Sequence, residues 1–173
     1  MKDNFGHLDI LINNAGVQPE GPSLATILHS TFATNVIGPA LMSANFRSLL
    51  LASPAPYSIY ISSETGSLQM ITDPTSYLRI TTAGTSAYRA SKSALNMIAM
   101  HEQLEVQETS LKVIVLSPGL VVSNLRGTSE EARSAFGLAG DPTDSARLVL
   151  SVLRGERDND AGKLITNSGT APW

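Results

Sequence analysis

Residues 85–96 read TSAYRASKSALN, and they begin an amphipathic helix that carries a tyrosine and a lysine four positions apart. Positions i and i+4 lie on one face of a helix, so the Tyr88 hydroxyl and the Lys92 ammonium can share one site. A nearby cation favours the phenolate and lowers a tyrosine pKa from its ordinary value of about 10. Tyr88 is therefore a candidate general acid or base. On this pair alone, a half-buried Tyr88 and a solvated Lys92 without chemistry remain an alternative.

The composition of the chain narrows the class of protein. Its 173 residues, 42% apolar and 16% charged, suit one globular domain with a substantial core. A net charge of −3 gives no basic surface, so neither a nucleic acid nor a membrane partner is expected. Cysteine is absent and the three histidines are far apart, so we predict no metal site. Without a signal pattern or a long apolar run, the expected compartment is the cytoplasm.

Apolar runs and helical patterns alternate along the chain. Strands are predicted at residues 8–13, 55–62, 111–116 and 163–166. Helices are predicted at residues 24–51 with Ser23 as the cap, from the Tyr88 segment to 109, at 128–136 and at 143–154, with a long irregular segment at 63–85. This alternation predicts an α/β fold with a doubly wound parallel sheet of about four strands. The first run is apolar on both faces, which is typical of a strand buried inside a sheet.

Polar residues follow the predicted strands where each strand ends. Asn13 to Gly16 follow the first strand, Ser62 and Ser63 end the second, and Pro118-Gly119 follows the third. In a doubly wound sheet the ligand lies at the carboxyl ends of the strands, so these residues are expected to face one crevice with Tyr88. A glycine-rich turn of the form G-x-G-x-x-G, the usual phosphate cradle, is missing from the sequence.

Asn35 lies in the middle of the first predicted helix, where asparagine is a poor helix former. Pro39, four residues later, supplies no N–H to the Asn35 carbonyl. We expect the freed Asn35 carbonyl to bind a functional partner such as water. The alternative is that the helix is simply kinked for packing.

The order of these stretches resembles the short-chain dehydrogenase/reductase family. The matching residues are Asn13-Asn14-Ala15-Gly16, Asn35, Ile61-Ser62-Ser63, Tyr88-x-x-x-Lys92 and Pro118-Gly119 followed by Ser123. Within the family, the Tyr88 segment and the terminal Pro172-Trp173 look most like the carbonyl reductases related to the C-factor and sniffer proteins. The resemblance begins at the family's fourth strand. It implies that residues 1–173 form a single domain, the C-terminal portion of an NAD(P)-binding Rossmann-like domain.

The resemblance also implies roles for the catalytic candidates. Tyr88 would deliver a proton to a substrate carbonyl as hydride arrives from the nicotinamide, and Lys92 would lower the Tyr88 pKa and hold the ribose hydroxyls. Ser63 would hydrogen-bond the carbonyl oxygen, with Ser62 as the alternative, or both serines merely cap loop backbone. Asn35 would hold a water that links the lysine to solvent.

The resemblance further implies a cofactor site made of Asn14, Ala15, Gly16, Tyr88, Lys92, Pro118, Gly119 and Ser123. The first three would lie near the adenosine ribose, the Pro118-Gly119 backbone near the nicotinamide, and Ser123 near its carboxamide. NADP is expected rather than NAD, and the missing glycine-rich turn is expected to weaken its binding.

Two functions follow from the resemblance. The first is an NAD(P)-dependent oxidoreductase that interconverts a small-molecule carbonyl and an alcohol. The second is a catalytically silent fragment that serves as a folded remnant or an association partner. An epimerase or dehydratase is disfavoured because a sugar-nucleotide domain is lacking. The open edge at residues 8–13 predicts a homo-oligomer or another association through that strand.

Overall fold

A computed structural model describes residues 6–79 and 84–173, and within them a single sheet has the strand order β1-β2-β3-β4-β5. The strands are β1 Ile10–Asn13, β2 Tyr57–Ile61, β3 Lys112–Ser117, β4 Leu164–Thr166 and β5 Gly169–Ala171. The first four are parallel, and β5 returns antiparallel to β4. The predicted α/β fold with a Rossmann-like parallel sheet is confirmed. The short β5 was not predicted because three residues carry too little alternation to be recognised.

The helices connect these strands in the expected order. They are α1 Leu24–Phe32, α2 Gly38–Leu50, α3 Leu68–Thr72, α4 Ser86–Glu105, α5 Glu130–Arg133 and α6 Pro142–Leu153. The predicted cap at Ser23 is confirmed, since its side chain accepts a hydrogen bond from the Thr26 N–H. The helix predicted for residues 128–136 ends early, because the backbone at Ala135 and Phe136 has positive φ angles.

The segment predicted to be irregular contains local structure. Besides α3, it holds 3₁₀ turns at Glu64–Gly66 and Tyr77–Arg79, which apolar periodicity does not reveal. Residues 80–83 of this segment lie outside the described residues. Helix α4 begins at Ser86, so the structure places Tyr88 and Lys92 in its first two turns.

Side chains of the sheet alternate between two hydrophobic clusters. The cluster on the α4 face contains Leu50, Tyr60, Leu95, Ala99, Val106, Leu111, Val113, Val115 and Leu164. The cluster on the α6 face contains Tyr57, Ile59, Ile114, Leu116, Leu148, Val152 and Ile165. Both faces of β2 and β3 are therefore covered, as a parallel sheet requires.

Strand β1 is buried on only one face. Its partner is β2, and among the described strands it lies at the edge of the sheet. Leu11 packs against the α4-face cluster and Asn13 is buried, whereas Ile10 and Ile12 are exposed on the opposite face. The expectation of a strand buried on both faces is therefore wrong for the α6 face, because the α6-face cluster begins at β2.

Candidate functional site

The carboxyl ends of β1, β2 and β3 open into a cavity of about 630 Å³. Predicted site residues that line it are Asn14, Gly16, Ser63, Tyr88, Lys92, Pro118, Gly119 and Ser123. The structure thus brings together residues that lie up to 109 positions apart in sequence, from Asn14 to Ser123. Of the predicted site residues, Ala15 and Asn35 are absent from this lining.

Tyr88 and Lys92 lie on one face of α4, as their spacing predicts. Lys92 is only 3% exposed, so it is not the solvated lysine of the alternative interpretation. Its Nζ donates a hydrogen bond to the Ile61 carbonyl at 2.8 Å and lies 5.5 Å from the centre of the Tyr88 ring. The end of β2 therefore fixes the ammonium beside the tyrosine.

Burial shifts the pKa values of both groups. It lowers the pKa of Lys92 to about 8, because a charged ammonium loses its hydration. For the same reason it raises the pKa of Tyr88 to about 12, while the charge of Arg126 and the hydroxyl of Ser63 act in the opposite direction. The net shift of the Tyr88 pKa is therefore upward, opposite to the predicted lowering, since burial outweighs the charge of Arg126 and the hydrogen bond with Ser63. At neutral pH Tyr88 holds its proton.

The two candidate serines have different neighbours. Ser62 is buried, and its Oγ donates to Asn96 Oδ1 at 2.5 Å. Ser63 interacts with the Tyr88 hydroxyl. Its Oγ also accepts a hydrogen bond from the Thr65 N–H at 3.2 Å, so it caps the following 3₁₀ turn as well. The geometry favours Ser63 over Ser62 as the group next to the tyrosine, while its catalytic role stays a prediction.

Asn35 lies in a π-helical turn, Ala33–Ile37, that joins α1 to α2. The π-helical turn keeps α1 and α2 continuous although Pro39 cannot donate a backbone hydrogen bond. The fully buried Asn35 side chain accepts from the Val17 N–H at 2.8 Å and donates to the Val17 carbonyl at 2.9 Å. Its Nδ2 also donates to Ser91 Oγ at 3.0 Å. Asn35 thus ties the loop after β1 to α4, and the predicted water link stays a prediction.

Gly16 lies directly over the polar centre of the site. A Cβ added there would stand 3.7 Å from Asn35 Oδ1 and 3.7 Å from Lys92 Nζ. Gly119 has a φ of +85°, a left-handed conformation that suits glycine after Pro118. Both glycines line the cavity that contains Lys92. The residues present fit the nicotinamide-ribose half of a dinucleotide, whereas the sequence contains no G-x-G-x-x-G turn for the pyrophosphate.

Arg126 is a site residue that sequence reasoning missed. It ends the 3₁₀ turn Asn124–Arg126, which the side chain of Ser123 caps, and it lines the cavity. Ser145, in the first turn of α6, lines the same cavity. Arg126 and Ser145 are single polar residues in segments without periodicity, so no sequence spacing identifies them as site residues. Only the folding of residues 120–146 over the crevice identifies them.

Within 6–79 and 84–173, no group of three or more histidine, aspartate or glutamate side chains could hold a metal ion. No described helix is both long and apolar enough to cross a membrane.

Sequence comparisons identify relatives of the whole chain. A family model described as short chain dehydrogenase matches residues 1–134. The short-chain dehydrogenase/reductase tropE of Talaromyces stipitatus is 32% identical, over 98% of this chain and 67% of that protein. C-signal of Myxococcus xanthus is 28% identical, over 97% of this chain and 94% of that protein.

Solved structures share the fold. The NADPH-bound carbonyl reductase from chicken fatty liver has a TM-score of 0.78 at 27% identity, covering 96% of this chain and 66% of that one. The carbonyl reductase Sniffer of D. melanogaster has a TM-score of 0.72 at 24% identity, covering 96% of this chain and 67% of that one. This chain therefore spans about two thirds of the length of tropE and of the chicken enzyme. The family model, tropE and the chicken carbonyl reductase support, in general terms, an oxidoreductase that uses a nicotinamide cofactor. Because the family model matches well over half of its residues, the chain belongs to the short-chain dehydrogenase family.

Proposed function

We propose that this chain is an NAD(P)-dependent oxidoreductase that interconverts a small-molecule carbonyl and an alcohol by hydride transfer, with Tyr88 as the acid and base. The observation that carries the proposal is the convergence of Tyr88, Lys92 and Ser63 in one cavity. The likeness to an NADPH-bound carbonyl reductase supports the same class of reaction.

Each polar group has a distinct role in this proposal. When bound, the reduced nicotinamide supplies the hydride that reaches the carbonyl carbon. The Ser63 hydroxyl donates a hydrogen bond to the carbonyl oxygen and stabilises the charge that develops there. Tyr88, protonated at neutral pH because its pKa is about 12, then gives its proton to that oxygen.

Lys92 acts as a positioning group in the same scheme. The Ile61 carbonyl uses one of its three N–H donors, and the remaining two are available to the ribose hydroxyls of the cofactor. Asn35 keeps the loop after β1 in place, so Asn14, Ala15 and Gly16 can lie against the cofactor. Pro118, Gly119 and Ser123 form the opposite wall, beside the nicotinamide.

The preferred cofactor is proposed to be NADP, bound more weakly than in relatives that carry a glycine-rich turn. The NADPH-bound structural relative supports this preference. In this proposal the chain forms a single domain and acts in the cytoplasm.

A titration of the purified 173-residue chain with NADPH and NADH, followed by reduced-nicotinamide fluorescence, tests the proposal. We expect Lys92→Met to weaken binding, because the variant loses the ribose donors. Tyr88→Phe should keep the affinity and lower carbonyl reduction by about a hundredfold or more. Ser63→Ala should lower turnover more than its neighbour Ser62→Ala. Failure of a folded chain, verified by circular dichroism, to bind either nucleotide would contradict the proposal.

A second candidate is a catalytically silent chain that acts by association. The exposed isoleucines of β1 supply an apolar surface for such an association. Self-association or partner binding that survives in Tyr88→Phe, with no nucleotide binding by either chain, would favour this candidate.

A further inference from the structure

Arg126 is held in a fixed position at the wall of the cavity. Its Nη2 donates to the carbonyl oxygens of Val121 at 2.8 Å and Arg133 at 2.9 Å, and its Nε donates to that of Ala132 at 3.2 Å. A guanidinium has five N–H donors, so these bonds leave two, both on Nη1. Among the described residues, no hydrogen bond from Nη1 and no carboxylate partner of Arg126 is found.

The charge of the cavity points to the kind of ligand that this arginine can bind. Lys92 and Arg126 both line the cavity, and its described lining contains no aspartate or glutamate. The chain as a whole carries −3, so a positive cavity is not a consequence of overall composition. The buried Ser145 hydroxyl in the same lining has no hydrogen-bond partner among the described residues and is a further donor for an anion.

The fixed Arg126 lies near the reacting groups. It lines the same cavity as Tyr88 and Lys92, and its positive charge partly opposes the burial that raises the pKa of Tyr88. A ligand atom bound by the free Nη1 donors would therefore belong to the molecule that approaches Tyr88. In the proposed reaction that molecule is the carbonyl substrate.

We propose that Arg126 binds a carboxylate of the substrate, so that the preferred substrates are aldehydes or ketones that carry an anionic group. This inference rests on the proposed oxidoreductase function and names its substrate class. The three backbone hydrogen bonds make Arg126 a preorganised donor, because little side-chain freedom remains to be lost on binding. A phosphate of the cofactor is the other source of negative charge, and the test below separates the two.

The test compares two aldehydes that differ in charge, 4-carboxybenzaldehyde and methyl 4-formylbenzoate, as substrates of the 173-residue chain with NADPH. We expect the native chain to have the higher kcat/KM with the acid, and Arg126→Gln to reduce the ratio of acid to ester by about tenfold or more. Arg133→Gln removes an exposed arginine from the same segment and should leave the ratio unchanged. An unchanged ratio in a folded Arg126→Gln chain would overturn the inference. So would a loss of NADPH affinity in that variant with no change in the ratio, which would assign Arg126 to a cofactor phosphate.

Two further measurements keep the test decisive. If Arg126→Gln does not fold, the native chain should show a KM for the acid that rises with ionic strength while that for the ester stays constant. Equal salt dependence of both would overturn the inference. Calorimetric titration with 4-carboxybenzaldehyde and its ester measures binding without turnover. Selective binding of the acid by a chain that transfers no hydride would support the Arg126 site while the proposed reaction fails.

Discussion

Three isoleucines lie side by side across the sheet, yet their environments differ. Ile12 of β1 pairs in register with Ile59 of β2, which pairs with Ile114 of β3. Ile59 and Ile114 are 0% exposed, whereas Ile12 is 41% exposed. Helix α6 supplies the difference, since Leu148 and Val152 belong to the cluster that contains Ile59 and Ile114.

This row shows that the apolar character of a strand and its burial are separate properties. The sequence of β1 has the residues of a strand covered on both faces, but the described structure covers one face only. Apolar area that stays in water contributes nothing to folding, so Ile12 stabilises the chain less than its two neighbours. The same area remains available for contact with another surface.

The largest expected effect comes from truncating the buried end of the row. Ile114→Ala should lower the free energy of unfolding by about 2 to 5 kcal/mol, because it removes buried methyl groups and leaves a cavity. Ile12→Ala, the matched change at the exposed end, should lower it by less than about 1 kcal/mol. Urea denaturation followed by circular dichroism measures both values. Equal losses would mean that Ile12 is buried in solution.

The α4 face of the same strands provides a polar counterpart. Glu102, which is 3% exposed, accepts hydrogen bonds from Ser58 at 2.9 Å and from Tyr60 at 2.6 Å. Burial of the Tyr60 hydroxyl, together with the charge of the neighbouring Glu102, raises the pKa of Tyr60 well above its ordinary value. Glu102→Ala would leave both buried hydroxyls without this acceptor, so we expect a loss of about 1 to 3 kcal/mol in the free energy of unfolding.

Glu105 is the matched control for Glu102 on the same helix. Its carboxylate, 42% exposed, pairs with Arg47 at 2.6 Å at the surface. Glu105→Ala should therefore change stability by less than about 1 kcal/mol in the same urea experiment. A larger loss from Glu105→Ala than from Glu102→Ala would contradict the assignment of the buried network.

The sequence predicted those features that depend on local pattern. Alternating strands and helices implied the α/β fold, and the four-residue spacing placed Tyr88 beside Lys92 on one helix face. The residues after β1, β2 and β3 were expected in one crevice because parallel strands end at a common edge. The structure places most of them there: Asn14, Gly16, Ser62, Ser63, Pro118 and Gly119.

Features that depend on distant segments were beyond sequence reasoning. The exposure of Ile12 depends on which strands α6 covers, and the raised pKa of Tyr88 depends on how deeply the fold buries this residue. Arg126 enters the site because three backbone carbonyls turn its side chain, and no spacing rule records such a contact.

Burial of Ile59 stabilises the folded chain, whereas burial of the Lys92 ammonium destabilises it. The pH dependence of the stability measures the effect at Lys92. The pKa of Lys92 is about 8 in the folded chain and about 10.4 in an unfolded one, so the unfolded chain binds more protons between these values. Stability should therefore rise with pH above about 8, by up to about 1.4 kcal/mol per pH unit at most. We expect this rise in urea midpoints measured from pH 8 to about pH 9.5, below the ordinary tyrosine pKa. Lys92→Met should lack it, and parallel profiles for both chains would contradict the shifted pKa.

We expect the smallest effect on stability from a charged residue at position 12, the exposed end of the isoleucine row. The same substitution is the sharpest test of the uncovered face of β1. Ile12→Lys should change the free energy of unfolding by about 0.5 kcal/mol or less, because the side chain already reaches solvent. It should nevertheless weaken any self-association through β1, since a lysine on an edge strand opposes pairing with a second chain. Sedimentation velocity over a range of concentrations measures the association, with Met97→Lys, at a 69% exposed position on α4, as the matched control.

A native chain that stays monomeric at every concentration would argue against association through β1. If Met97→Lys alone disperses the oligomer, the interface lies on α4, and the uncovered isoleucines of β1 are tolerated without a partner.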